Sequence, residues 1–280
     1  MERAIIDDIE LEYEVSGEGE PVLLFGHVLA DALLPLTTEP ALAGYQLVRY
    51  RKRGFSGSSP MPPPATIGQH AADAVALLKH LGLAPAHVIG ASSGGSIALQ
   101  LAVDHPDAAA RLVLLEPSLL SLPSAQAVLA KAAPALEAYG DGRAADAVPM
   151  FLSAIGQMDR SECEALLEEH VPGAIARAVN DADALFGAEV PAVMAWSFGT
   201  AEGACIDVPV LSLRGADTDQ LWLDIAALLR LCVRDVEECV VEGVGHLLQL
   251  QQPEPVARAI AEFLARHPMP ATTAVGSTSM

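Results

Sequence analysis

Polar and apolar positions along the chain change period several times. Around residues 2–15, Ala4-Ile5-Ile6 is followed by a tight Asp7-Asp8. Apolar side chains then fall on alternate positions through Ile9, Leu11, Tyr13 and Val15, which predicts a two-strand start. Gly17-Glu18-Gly19-Glu20-Pro21 punctuates the pattern. Val22-Leu23-Leu24-Phe25 is continuously apolar, as a parallel strand covered on both faces must be. Tyr45-Gln46-Leu47-Val48-Arg49-Tyr50 predicts a second such strand, and Pro62-Pro63-Pro64 forces a loop. Thr66 and Gln69 form a capping-box pattern opening a helix with Ile67, Ala71, Ala74, Val75, Leu78 and Leu81 on its apolar face. A strand at Ala86-His87-Val88-Ile89, a glycine-rich turn, a helix through Ile97, Ala98, Leu101 and Ala102, and a strand at Leu112-Val113-Leu114-Leu115 follow. Strands alternating with helices predict an α/β fold with a mostly parallel sheet.

The alternation stops between residues 118 and 205, where the chain is Ala-rich, helical in pattern and broken at Pro134, Gly140, Pro172 and Pro191. It resumes at Val208-Pro209-Val210-Leu211-Ser212-Leu213, with a strand from Val236 to Val241 and a last helix through Val256, Ile260, Phe263 and Leu264. The expected organisation is a core of residues 1–117 and 206–267, an inserted helical cap of residues 118–205, and a flexible tail of residues 268–280 that is small, polar and prolyl.

Composition narrows the function classes. The 280 residues are 51% hydrophobic, so the chain folds and buries a large core. With 36 acidic against 16 basic side chains its formal charge is −20, which argues against nucleic acid and anionic membrane surfaces as partners. No apolar run approaches the roughly 18 residues of a membrane span, and no secretory signal is visible at the N-terminus. The four cysteines, Cys163, Cys205, Cys232 and Cys239, fit neither a zinc pattern nor a disulfide framework. Reduced thiols in a cytoplasmic protein are the expectation, with no metal.

The most informative segment is His87-Val88-Ile89-Gly90-Ala91-Ser92-Ser93-Gly94-Gly95. It holds G-x-S-x-G at Gly90, Ser92 and Gly94, between a predicted strand and a predicted helix, the context that a nucleophile elbow requires. In so sharp a turn the residues two before and two after the serine must lack a bulky Cβ substituent. The hydroxyl is pushed out above the sheet, and the N–H of Ser93, at a helix N-terminus, faces the same point.

On these residues the chain resembles the α/β-hydrolase fold superfamily, in particular compact bacterial serine members with a helical cap, over about residues 2–267. The stretch Tyr50-Arg51-Lys52-Arg53-Gly54-Phe55-Ser56-Gly57-Ser58-Ser59 is similar to the family's D-x-R-G-x-G-x-S loop, with Tyr50 at its first position. The resemblance implies an eight-stranded, mostly parallel sheet flanked by helices, and a Ser-His-acid triad without cofactor. His246, in Glu242-Gly243-Val244-Gly245-His246 before the last helix, matches the family's catalytic histidine. The acid is open between two places. The usual place, after the strand ending at Gly215, offers Asp219 and then Asp217, with Thr218 where the common spacing puts the acid. The other is the end of the strand before Pro117, where Glu116 stands; haloalkane dehalogenases and some cofactor-independent oxygenases of this fold carry their acid there. Glu116 is the first choice, because a carboxylate ending a buried strand needs a partner such as the imidazole.

The chain departs from the family at the oxyanion loop, where the usual His-Gly is replaced by Gly26-His27 followed by Val28. Either Val28 keeps the donor role or the strand ends one residue early and His27 supplies the N–H. Phe25, Val28 and Leu29 from the loops and Phe151, Phe186, Trp196 and Phe198 from the cap are candidates for an apolar pocket or for core. The leading function is hydrolysis of a small apolar ester, thioester or lactone by acyl transfer through Ser92. The alternatives are a lyase, isomerase or cofactor-independent oxygenase in which the His-acid pair is the base and Ser92 only binds substrate, and a catalytically silent ligand-binding homologue. Aspartate nucleophiles of epoxide hydrolases and dehalogenases have no counterpart at Ser92. A homodimer through the cap helices is compatible with the sequence, although no specific pattern marks it.

Overall fold

A computed structural model describes residues 1–26, 29 and 31–269. Eight strands form one sheet: β1 (Glu2–Ile6), β2 (Ile9–Ser16), β3 (Glu20–Phe25), β4 (Tyr45–Tyr50), β5 (Ala86–Ala91), β6 (Ala109–Leu115), β7 (Val210–Gly215) and β8 (Val236–Val241). Their order is β1-β2-β4-β3-β5-β6-β7-β8; β1–β2 and β2–β4 pair antiparallel and all other pairs are parallel. The alternating start thus becomes the antiparallel edge, and the apolar runs become the parallel centre.

Period-2 alternation assigns each central strand residue to one of two cores. Leu23, Phe25, Val88, Leu112 and Leu114 pack with α1 (Ile67–Leu81) and α2 (Ser93–Asp104), whereas Val22, Leu24, Ile89, Val113 and Leu115 belong to the opposite face. Helix α1 opens as its sequence predicts: Thr66 and Gln69 exchange side-chain and backbone hydrogen bonds in a capping box. Between β6 and β7 the described chain is helical: α3 (Ala125–Gly140), α4 (Ala144–Gly156), α5 (Arg160–His170), α6 (Ala174–Asn180), α7 (Ala182–Ala184), a π-helical turn at Leu185–Glu189, α8 (Val190–Ala195) and α9 (Thr200–Gly203). This cap has its own apolar cluster, built on Val148, Phe151, Leu152, Leu167 and Phe186 and reaching Leu247 and Leu250 of the core. The fold closes with α10 (Gln220–Cys232), α11 (Leu248–Gln251) and α12 (Pro253–Arg266), whose Val256, Ile260, Phe263 and Leu264 join the second core.

The chain leaves β3 toward β4 on one side and returns to β5 on the other. The strand order therefore reverses between β3 and β5, and the crevice outside the carboxyl ends of such strands is where open α/β sheets bind ligands. Of the expected tail, residues 270–280 lie outside the described residues; at its start the Met269 N–H donates to Glu20 at 2.9 Å.

Candidate active site

Every strand from β5 to β8 delivers a side chain, directly or through the turn after it, to one place at the carboxyl edge of the sheet. β5 is buried throughout and ends at Ser92, whose φ of 52° and ψ of −119° place it in the left-handed half of backbone space. Such a conformation costs a non-glycine residue about 1–3 kcal/mol and persists only where its surroundings enforce it. Here the glycines enforce it. A Cβ on Gly90 would drive into the carbonyl oxygen of Gly94, one on Gly94 into that of Phe25, and one on Gly95 would lie 2.7 Å from the Pro117 side chain. Ser92 sits ahead of the first turn of α2, and the N–H of Ser93 at that turn has no intrahelical acceptor.

β6 ends in a second strained residue, Glu116, at φ 45°. Its Oε1 accepts from the Gly215 N–H at 2.9 Å and its Oε2 from the Thr218 hydroxyl at 3.1 Å. The same Oε2 lies 2.7 Å from Nδ1 of His246, which follows the turn after β8. His246 Nε2 is 3.0 Å from Ser92 Oγ. A carboxylate only accepts, so Nδ1 carries the imidazole proton and Nε2 is left to accept from the Ser92 hydroxyl. All three groups are buried: Ser92 is 7% exposed, Glu116 2% and His246 3%. Trp222 stacks on the imidazole with ring centroids 4.0 Å apart and planes 25° from parallel, fixing the ring in its slot.

The other candidate acids lie elsewhere. Asp219 pairs with Lys131 of α3 at 2.7 Å, and Asp217 is exposed at the surface. His27 and Val28 fall outside the described residues. Gly26, just ahead of them, packs against the elbow, since a Cβ on Gly94 would come within 2.7 Å of the Gly26 carbonyl oxygen.

A cavity of about 60 Å³ lies over Ser92. Its polar lining is Ser92, Ser93, Ser118, Trp222 and His246; the rest is apolar, with Val128, Leu129 and Leu136 from α3, Phe151 and Ile155 from α4, and Val190 and Val193 from α8 among it. Two expected pocket residues are placed elsewhere in the structure. Trp196 does not line this cavity, because its indole N–H is engaged by Gln100 of α2 at 2.7 Å and its ring packs at 5.9 Å on Phe198. Leu29 also lies off it, packing in the cap cluster beside Asp31, Arg51 and Phe55. Of the expected aromatic residues, Phe151 does line the cavity, while Phe186 packs edge-to-face behind it as core, with ring centroids 5.4 Å apart.

One side chain beside the serine carries no motif. Ser118 Oγ lies 3.0 Å from Ser92 Oγ, its N–H donates to the Ser92 carbonyl at 3.1 Å, and its own carbonyl accepts from the Ser96 hydroxyl at 2.7 Å. The only hint in the sequence is its place two residues beyond Glu116. Among the described residues no group of three or more His, Cys, Asp or Glu side chains is placed to hold a metal ion, and no helix is long and apolar enough to cross a membrane.

The comparisons with known proteins agree with this architecture. The chain is 28% identical over 275 residues to a putative carbamate hydrolase, RutD, of Caulobacter vibrioides, covering 94% of this chain and 99% of the relative. Among solved structures it superposes on a thermophilic esterase from Thermogutta terrifontis with a TM-score of 0.70 at 23% identity, covering 96% of this chain and 100% of that one. It superposes on the enol-lactonase from Burkholderia xenovorans with a TM-score of 0.70 at 21% identity, covering 94% and 100%. A family model described as the alpha/beta hydrolase fold matches residues 22–253. The chain belongs to the α/β-hydrolase fold family.

Proposed function

We propose that this protein hydrolyses small, uncharged, largely apolar esters, thioesters or lactones through an acyl-enzyme on Ser92. The observation that carries the reading is the continuous hydrogen-bonded chain from Glu116 through His246 to Ser92, buried beneath a cavity with no charged side chain in its lining. In the first half-reaction Ser92 Oγ attacks the carbonyl carbon while His246 Nε2 takes the hydroxyl proton, and Glu116 stabilises the imidazolium and holds its orientation. The carbonyl electron pair moves onto oxygen, where the N–H of Ser93 and the N–H of Val28 or His27 would receive it. Collapse of this intermediate expels the alcohol or thiol, which leaves with the proton from His246. Water then attacks the acyl carbon with His246 again as base, and Ser92 regains its proton as the acid departs.

The full-length relatives named putative carbamate hydrolases suggest one extension. A neutral carbamate ester presents the same trigonal carbonyl to Ser92, whereas the cavity offers an anionic substrate no cationic side chain besides a protonated His246. The lyase, isomerase or oxygenase reading needs Ser92 only as a binding group. It has less support, because Ser92 Oγ and the basic imidazole nitrogen lie at hydrogen-bond distance on an enforced elbow.

The test is incubation with a fluorophosphonate probe and a short-chain nitrophenyl ester, wild type against Ser92→Ala. Labelling and turnover that both vanish in the variant support acyl transfer. Absence of both in the wild type sinks it.

A further inference from the structure

Behind the elbow lies a second buried polar cluster that the triad does not use. Glu189, at the end of the π-helical turn of the cap, is 1% exposed, and its Oε1 lies 2.6 Å from Lys52 Nζ, itself 4% exposed, on the segment after β4. The same oxygen accepts from the Ser93 hydroxyl at 2.5 Å. Burial alone would push the Glu189 carboxyl up; the Lys52 ammonium, the nearby His70 and the hydrogen bonds from Lys52 and Ser93 outweigh it and hold the group below the usual carboxylate range. A charge buried this deeply in the interior is retained only when paired.

The placement of this cluster is what matters. Ser93 follows the nucleophile directly, and Glu189 precedes Val190, which with Val193 forms part of the cavity wall. Among the described residues no other cap carboxylate hydrogen-bonds α2 or the serine turn. On the other side of the crevice, Asp31, on the segment that follows β3, is held by Arg49 at 2.8 Å and Arg51 at 2.7 Å, and by Arg177 of cap helix α6 at 3.3 Å. The cap therefore contacts Ser93 through Glu189 and Asp31 through Arg177.

We propose that Glu189, anchored by Lys52, is a positioning residue that sets the Ser93 backbone N–H at the oxyanion and does so only while the cap is seated. The inference rests on the acyl-transfer reading, because it gives Ser93 its role. The cavity of about 60 Å³ is smaller than the substrates proposed, so on this proposal the cap shifts as substrate enters, and Glu189, which it carries, moves with it. Substrate entry and assembly of the oxyanion site are then coupled: the donor is aligned when the cap returns over the bound ester. The backbone N–H survives every change to the Ser93 side chain, so its alignment can be tested separately from its presence.

The experiment compares wild type, Ser93→Ala and the double variant Lys52→Met/Glu189→Leu. The double variant removes both charges together and so leaves neither buried without its partner. For each, kcat and KM on a short nitrophenyl ester, Tm, and the inhibition constant of n-butaneboronic acid are measured. The boronic acid forms an Oγ–B bond to Ser92, His246 takes the hydroxyl proton, and the tetrahedral anion mimics the oxyanion intermediate. Expected for both variants is a kcat about tenfold lower and a boronate constant about tenfold weaker, with KM within about twofold of wild type, a partial loss of one donor's contribution. Variants with lowered Tm but wild-type kcat and boronate affinity would overturn the proposal and leave the acyl-transfer reading standing. A wild type that neither turns over the ester nor binds the boronate fails that reading, and this inference with it.

Discussion

The hydroxyl of Thr218 donates to Oε2 of Glu116 at 3.1 Å, the same oxygen that meets His246. Residue 218 is where the family spacing puts the acid, so the loop after β7 keeps its place but supplies a hydrogen bond in place of a carboxylate. Glu116→Gln is accordingly expected to lower kcat by about three to four orders of magnitude, because an amide neither fixes the tautomer nor stabilises the imidazolium. Thr218→Ala removes one neutral donor and is expected to cost about two- to tenfold. Asp219→Asn, which loosens only the Lys131 pair, is expected to stay within about twofold. Steady-state kinetics on one ester checks all three, and a collapse in Asp219→Asn alone would reassign the acid.

If acyl transfer runs on Ser92, the cavity over it is expected to set the length of the acyl chain. Phe151 lines the space over Ser92 and is 7% exposed. Phe151→Ala is expected to move the preferred acyl chain to longer lengths, with kcat/KM rising about fourfold for each methylene newly accommodated. It should also cost about 3 kcal/mol of stability, as removal of a buried aromatic ring does. A nitrophenyl ester series with urea unfolding on the same preparations measures both effects.

His70 of α1 is buried, and desolvation, reinforced by the nearby Lys52 ammonium, pushes its imidazole down from 6.5 to about 4. The unfolded chain takes up this proton as pH falls below 6.5, while the folded chain resists it until about 4. Its contribution to stability is therefore complete above pH 6.5 and declines as pH falls through that window, by about 3 kcal/mol at the lower end. His70→Asn removes the titration. Unfolding free energies of wild type and variant between pH 7 and 4 should converge or cross as pH falls; parallel curves would show that His70 titrates normally.

Much of the fold is legible because two-sided burial leaves a local record. The apolar run at Val22–Phe25, the capping box at Thr66 and Gln69, and the paired glycines around Ser92 each state a local constraint that neighbouring residues satisfy. The site is legible only where it is local. Glu116 and Asp219 both satisfy the chain order, and only the meeting of strand ends shows that Glu116 reaches the imidazole while Asp219 turns to Lys131. Trp196 reads as a pocket aromatic, but its N–H has a partner on α2 that the sequence does not announce. The Lys52–Glu189 pair joins residues 137 positions apart and leaves no pattern along the chain.

The elbow itself is testable without activity. Gly94→Ala places a methyl against the Phe25 carbonyl and within 2.7 Å of the Gly26 carbonyl, where backbone rather than a flexible side chain must yield. The variant is expected to lose fluorophosphonate reactivity and to unfold at a markedly lower temperature than wild type. Gly140→Ala, where a methyl meets nothing within 4 Å, serves as the neutral control.

The most direct measurement is intact-mass spectrometry of the protein quenched during turnover of a nitrophenyl butyrate, followed by peptide mapping. The account predicts a butyryl adduct on Ser92 that accumulates in wild type and is absent from Ser92→Ala, which also loses turnover. Turnover that persists in Ser92→Ala with no adduct on the wild type would contradict it.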